Sequence, residues 1–387
     1  HRAKNKCALA MTEKYESMKK DIKLFNVLIK GLFLFIIFNF LFAAWQPKLG
    51  QISAYNLIFP GRERLPFGEN SAQAYNLSLF DLDAMFASHV IYGKVKADEE
   101  FRVILIGDSS VWGTLLKPEE TLAGQLNAAN LSACGKNVLA YNLGYPTISL
   151  TKDVMLLSYG MEYDPDLILW MTTLEAFPIE KQTASPLVAN NEETLHRLAG
   201  KYGLEFEAND PGLIQKSFWK NTIIGDRRAL ADLIRLQLYG VMWAATGIDQ
   251  VYPTDYVRAQ TDLEADQSFH DFAPSMLAAR ENLLALNALE TGVRVAGKTP
   301  MLIVNEPTLI SSGANSDIRY NFFYPRWAYD GYREMMFALS KQNHWTYVDL
   351  WDIVPADEFT NSAIHLTPEG ETILARELAP LIAEVCK

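Results

Sequence analysis

Five short strand-like segments, at 102–106, 138–142, 167–171, 301–305 and 346–349, most of them apolar, recur along the chain and are separated by stretches with helical spacing. Runs of this length, rich in Val, Ile and Leu, suit strands buried on both faces. Strands that alternate with helices close a parallel sheet, because each connection must cross back over the sheet before the next strand can begin. The expected fold is therefore α/β, with helices covering both faces of one parallel sheet. Ligands approach such sheets beyond the carboxyl ends of their strands, so the residues that follow each run are the first candidates for chemistry.

The first run, in "FRVILIGDSSVWG", ends at Gly107-Asp108-Ser109, and "PEETLAGQLNAAN" then reads as a helix with Leu122, Leu126 and Leu131 on its apolar side. Near the C-terminus "NSAIHLTPEG" places His365 just before a helix that Pro368 opens, with Glu369 and Glu371 in its first turn. A serine at a strand-to-helix turn exposes its hydroxyl at the sheet edge. A histidine 256 residues further on can return to that edge and remove the hydroxyl proton.

These two segments resemble the first and last conserved blocks of the SGNH (GDSL-type) hydrolases. The resemblance implies a flavodoxin-like three-layer α/β/α sandwich, with Ser109 as nucleophile and His365 as base. It also implies an oxyanion site made by the N–H groups of Ser109 and Gly144, the latter in "VLAYNLGYPTIS". Two family positions differ here. Where the third block carries Gly-x-Asn-Asp, this chain has Thr172-Thr173-Leu174-Glu175, and where Asp-x-x-His needs aspartate at 362 it has Ser362, preceded by Asn361. The imidazole then takes its orientation from Asp352, from Asp357, or from a backbone carbonyl in a Ser-His dyad. Glu306, just after the run 301–305, either faces the cleft or caps the following loop.

With 387 residues, 49% of them hydrophobic, the chain can bury one large core and an insertion. Its formal net charge of −11 argues against a nucleic-acid groove, which needs a basic face. The six histidines and three cysteines lack ligand spacing, so neither metal nor cofactor is expected. Cys134 and Cys386 either pair outside the cytoplasm or stay as free thiols, the plainer reading for so few cysteines.

Residues 24–45, "LFNVLIKGLFLFIIFNFLFAAW", hold only Asn26, Lys30 and Asn39 as polar interruptions, and 22 residues suffice to cross a bilayer. Lys30 can snorkel at one end, and Trp45 suits the opposite interface. Residues 1–23 carry seven Lys/Arg against three acids, which by the positive-inside rule keeps them cytoplasmic and places the rest outside. The organisation expected is a basic segment at 1–23, a transmembrane helix at 24–45, an ordered linker at 46–100 and an SGNH-like domain at 101–387. A mostly helical insertion at 178–297 interrupts that domain. Within it Leu230, Leu233, Ile234, Leu238, Val241, Met242 and Ala245 recur at helical spacing, predicting either a helix packed on the core or an interfacial helix touching lipid or a membrane partner, and His196 and His270 read as surface residues.

Together these readings predict a single-pass protein of the cell membrane, in contact with the lipid bilayer, whose outward domain works on an acyl ester or an envelope glycan. In organisation the chain is similar to tethered SGNH members that act beside a membrane-bound O-acyltransferase, so esterase and O-acyltransferase activity are both expected candidates. They share the first chemical step. The alternative is a catalytically degenerate subunit with a structural or binding role in a membrane assembly.

Overall fold

The computed structural model describes residues 24–53, 58–59, 61–67, 81–246, 255–270, 272 and 283–386. The basic segment 1–23 and part of the 46–100 linker lie outside these residues. The chain divides into two units, one of residues 1–48 with 216–231 and one of residues 49–215 with 232–387.

In the first unit, α1 (Leu24–Trp45) is the long apolar helix, with a mean hydropathy of 2.4 over its most apolar window and most of its side chains exposed. It is long and apolar enough to cross a membrane. Asn39 and Ala43 are its buried positions.

The second unit begins its regular structure with α2 (Leu82–Ser88), which Asp81 caps by accepting from the Ala84 N–H. A six-stranded sheet follows. Its strands are β1 (Glu100–Ile106), β2 (Ser132–Ala133), β3 (Lys136–Asn142), β4 (Leu167–Thr172), β5 (Met301–Asn305) and β6 (Thr346–Asp349), in the spatial order β2-β3-β1-β4-β5-β6. All pairings are parallel except the short β2–β3 hairpin. The five strand-like segments are thus the five parallel strands, and β1 lies inside the sheet with neighbours on both sides.

Successive strand residues point to opposite faces, so each strand feeds two apolar clusters. Ile104, Ile106, Ile168, Trp170 and Ile303 join one cluster with α5 (Leu150–Gly160), α9 (Leu286–Ala296) and α10 (Arg326–Asn343). Val103, Leu105, Leu169, Leu302 and Val304 join the other with α4 (Leu122–Ala128) and α11 (Pro368–Glu384). Gly292 shows how tightly the first cluster is built: a Cβ there would sit 2.1 Å from the Trp170 ring. Any side chain at 292 has to displace a fully buried indole, so substitution costs about 1–3 kcal/mol by overpacking.

Between β4 and β5 the chain is mostly helical, with α6 (Pro186–Ala189), α7 (Glu192–Tyr202) and α8 (Arg227–Thr246) preceding α9. Along α8 the apolar stripe is only partly covered. Leu233 and Leu236 are buried, yet Ile234, Leu238, Tyr239 and Met242 are exposed. The periodicity identified a helix, but not which part of its apolar surface finds a protein partner. Cys134 and Cys386 form a disulfide with Cα atoms 5.6 Å apart, which corrects the free-thiol reading. Each cysteine sits at an element end, Cys134 in the β2–β3 turn and Cys386 just beyond α11, and the fold brings these ends together.

Candidate active site

The turn after β1 is shaped by three consecutive residues. Gly107 is required by space, because a Cβ would lie 2.5 Å from Val111 Cγ2 and 3.2 Å from Met171 Cβ. Asp108 is buried and caps the short helix α3 (Ser109–Trp112) by accepting from the Ser110 N–H at 2.9 Å. Ser109 follows as the first residue of that helix. Its N–H therefore has no acceptor within the helix, and its side chain projects from the strand's carboxyl end.

The base arrives from a loop closed on itself. Phe359 and Leu366 bridge in antiparallel fashion, the Thr360 N–H donates to the His365 carbonyl at 2.8 Å, and the Leu309 N–H donates to the Ala363 carbonyl at 2.7 Å. The loop is thereby fixed to the segment that follows β5. Thr367 then caps α11, which begins at Pro368 as the sequence predicted. In this setting His365 Nε2 lies 2.8 Å from Ser109 Oγ. The 256-residue separation is closed to a hydrogen bond.

The other ring nitrogen settles the orientation of the base. His365 Nδ1 lies 2.8 Å from Asn361 Oδ1, an atom that only accepts, so Nδ1 carries the hydrogen and Nε2 presents its lone pair to the serine hydroxyl. Asp352 and Asp357 were the sequence candidates for this place. Both are exposed, and neither makes the Nδ1 contact, which Asn361 takes. A neutral amide does the orienting here instead of a carboxylate. Asn361 is not the acid that the motif leads one to expect; its position four residues before His365 in a tight loop was the available signal.

Burial lowers the His365 pKa to about 4, against a smaller raising effect from the Asp108 carboxylate. The ring is therefore neutral across the ordinary pH range, the form a general base requires.

The oxyanion side is built differently. Gly144 stands after β3 as expected, and a Cβ there would come within 2.6 Å of the Trp112 nitrogen, so glycine permits β3's end to lie directly against α3. Its N–H, however, donates to Asn142 Oδ1 at 3.0 Å, while Asn142 Nδ2 donates to the Val111 carbonyl at 2.7 Å. The N–H assigned to the oxyanion from sequence is thus engaged inside the protein. After β4, Thr173 Oγ1 pairs with the Tyr324 hydroxyl at 2.7 Å and Leu174 is buried in the apolar core. No side-chain amide stands at this position.

Behind the nucleophile lies a set of buried acids. Glu306 accepts from the Ser110 hydroxyl, its Oε1 has no hydrogen-bond partner among the described residues, and burial with Asp108 nearby raises its pKa well above the usual range. Glu371, also buried, is pushed up to about 8. Glu306 faces inward beside Ser110 and borders a small cavity with Glu371, Ile364 and Leu366. Lys152 is buried as well, pairing with Asp153 Oδ1 at 2.5 Å and donating to the Gly107 carbonyl at 2.7 Å, which braces the nucleophile turn. Elsewhere His196 is exposed and pairs with Glu192, and His270 bridges Glu175 and Glu180. Among the described residues no group of His, Cys, Asp or Glu could hold a metal ion.

No protein-family profile and no curated protein matches the chain. Several solved structures do. The aryl esterase of M. smegmatis is 14% identical, with 73% of this chain and 97% of that one covered and a TM-score of 0.33. Est24, a carbohydrate acetylesterase from Sinorhizobium meliloti, is 15% identical over 73% and 98%, with a TM-score of 0.32. A member of the lipolytic G-D-S-L family from Veillonella parvula is 10% identical over 73% and 99%, with a TM-score of 0.35. The chain is similar to these esterases at that level, and the functional reading rests on the geometry of Ser109, His365 and Asn361.

Proposed function

We propose that this chain is a membrane-anchored acyl esterase or O-acyltransferase, an SGNH-type three-layer α/β/α sandwich held outside the membrane by α1. The observation that carries the reading is the unbroken hydrogen-bonded series Ser109 Oγ, His365 Nε2, His365 Nδ1, Asn361 Oδ1. Ser109 Oγ attacks the acyl carbonyl carbon while its proton passes to His365 Nε2. The imidazolium keeps its orientation through Asn361 and returns the proton to the departing alcohol oxygen, leaving an acyl-serine. Water or a sugar hydroxyl, deprotonated by the same nitrogen, then takes the acyl group. The Ser109 N–H is the donor available to the oxyanion.

Three features support this location. The length and hydropathy of α1 suit a span, the seven basic residues ahead of it suit the cytoplasm, and the Cys134–Cys386 disulfide suits an oxidising compartment. An outward acyl-transfer site on a tether fits an envelope glycan or other acyl ester, with a membrane-bound O-acyltransferase as the partner class that would supply the acyl group. The second reading, a degenerate subunit of a membrane assembly, draws on the engaged Gly144 N–H and on Leu174 in place of an amide. Incubating the intact protein with a fluorophosphonate separates the two. A phosphonyl adduct on Ser109, absent in Ser109→Ala, supports the esterase. An unmodified Ser109 in folded protein overturns it and leaves the structural subunit.

A further inference from the structure

The segment just before α8 belongs to the same unit as α1 and is bonded to it. The Ile224 N–H donates to Asn39 Oδ1 at 3.1 Å, and the Phe40 ring lies 5.9 Å from Phe218 and 5.7 Å from Trp219, centroid to centroid. These contacts fall on the last two turns of α1. A polar side chain within an apolar helix needs a partner, and the segment supplies it.

The segment is a tight turn in its own right. The Thr222 hydroxyl donates to the Trp219 carbonyl at 2.7 Å and accepts from the Gly225 N–H at 3.0 Å, and a Cβ at Gly225 would lie 2.2 Å from that same carbonyl. Held in this shape it presents large apolar groups outward: Phe218 is 46% exposed, Trp219 68% and Ile224 51%. A water-soluble surface gains nothing from such a display. The charges around it are mostly basic. Residues 216–235 hold five Lys/Arg against two Asp, within a chain whose net charge is −11.

We propose that the Lys216–Ala231 segment is a second membrane contact, seated in the outward-facing interfacial region of a bilayer with anionic headgroups. Phe218, Trp219 and Ile224 enter the acyl boundary, and Lys216, Lys220 and Arg227 face the headgroups. The proposal rests on α1 being a membrane span. Its depth then follows, because the contacts at Asn39 and Phe40 place the segment near the Trp45 end, where aromatic and basic residues are favoured. The occupant is lipid because the apolar surface is continuous with a helix whose exposed residues beyond Lys30 are apolar.

Nitroxide labels on the full chain test it, in vesicles of phosphatidylcholine with phosphatidylglycerol. Cys7→Ser leaves the disulfide cysteines untouched, and labels are placed by Trp219→Cys and Ile224→Cys, with Phe35→Cys as a mid-span reference and Val95→Cys as a reference in the other unit. The ratio of collisions with oxygen to collisions with a nickel chelate should be several-fold higher at 219 and 224 than at 95, and highest at 35. A lipid-like ratio at 35 with water-like ratios at 219 and 224 overturns the proposal and leaves the span. A water-like ratio at 35 overturns the span, and this inference with it. Quenching of native tryptophan fluorescence by shallow brominated lipid is the second measurement: Trp219→Phe should reduce it, and unchanged quenching counts against the proposal.

Discussion

The base side and the oxyanion side of Ser109 are built to different standards. On the base side every atom has its partner: the serine hydroxyl meets Nε2, Nδ1 meets an amide oxygen, and the loop carrying both is pinned to the end of β5. On the oxyanion side the Gly144 N–H is turned to Asn142, and the residue after β4 that faces inward is leucine. Proton transfer is organised more completely than charge stabilisation. On the proposed function, such a site is expected to form an acyl intermediate with modest rate enhancement, since oxyanion donors are commonly the larger electrostatic contribution.

The comparison breaks most decisively at the nucleophile. Ser109→Ala should lower turnover of small activated esters by roughly 10⁴- to 10⁶-fold while the thermal midpoint stays close to that of the parent. Activity that survives would place the chemistry outside the base side altogether. Next comes the orienting amide. Asn361→Ala leaves Nδ1 without its acceptor and should cost roughly 10- to 100-fold in kcat/KM, less than loss of a charged orienter, because a neutral amide fixes the tautomer without stabilising the imidazolium by charge. Asn361→Asp should restore activity and raise the pH at which His365 titrates; no change in the acid limb of the pH profile would show that residue 361 does not address the ring.

The oxyanion side is probed through stability. Asn142→Ala removes the acceptor of the Gly144 N–H and the donor to the Val111 carbonyl, both buried, and should destabilise the domain by about 1–3 kcal/mol in a denaturant titration. An unchanged midpoint would mean that water or a substrate oxygen satisfies the Gly144 N–H as well as Asn142 does.

The smallest effects concern pH. With the His365 pKa lowered to about 4, the base is neutral above that value, so the acid limb of kcat/KM should fall near pH 4 and not near the ordinary histidine value. The sign for folding is the same: a histidine whose folded pKa is depressed contributes stability present above its unfolded pKa and lost as pH falls through the folded one. Glu371 acts oppositely. Raised by burial to about 8, it contributes stability that is complete below the ordinary carboxylate pKa and is lost as pH rises through 8. Glu371→Gln should flatten that alkaline decline, and a parallel slope in variant and parent would assign it elsewhere.

Much of the site was legible in the chain because its signals are local. The turn at Gly107-Asp108-Ser109 follows a run that buries itself on both faces, and Pro368 with its acidic first turn announces the helix behind His365. Asn361, Asn142 and Glu306 were harder to place: Glu306 stood out only by its position after β5, with two roles open, and Asn361 only by its spacing from His365. Each is one polar residue in a loop or at a strand end, and its role depends on which atom it meets.

By itself the sequence determined the parallel strands, the apolar helix at 24–45, and Ser109 and His365 as candidate nucleophile and base, since backbone periodicity and turn chemistry act over a few residues. Only the tertiary structure decided that an amide and not Asp352 or Asp357 orients His365, that Gly144 turns its N–H inward, that Cys134 bonds Cys386, and that α8 leaves Ile234, Leu238 and Met242 uncovered. Those outcomes are competitions between groups far apart in the chain. The winner is set by the distance and direction at which folding presents them, to which neither periodicity nor composition has access.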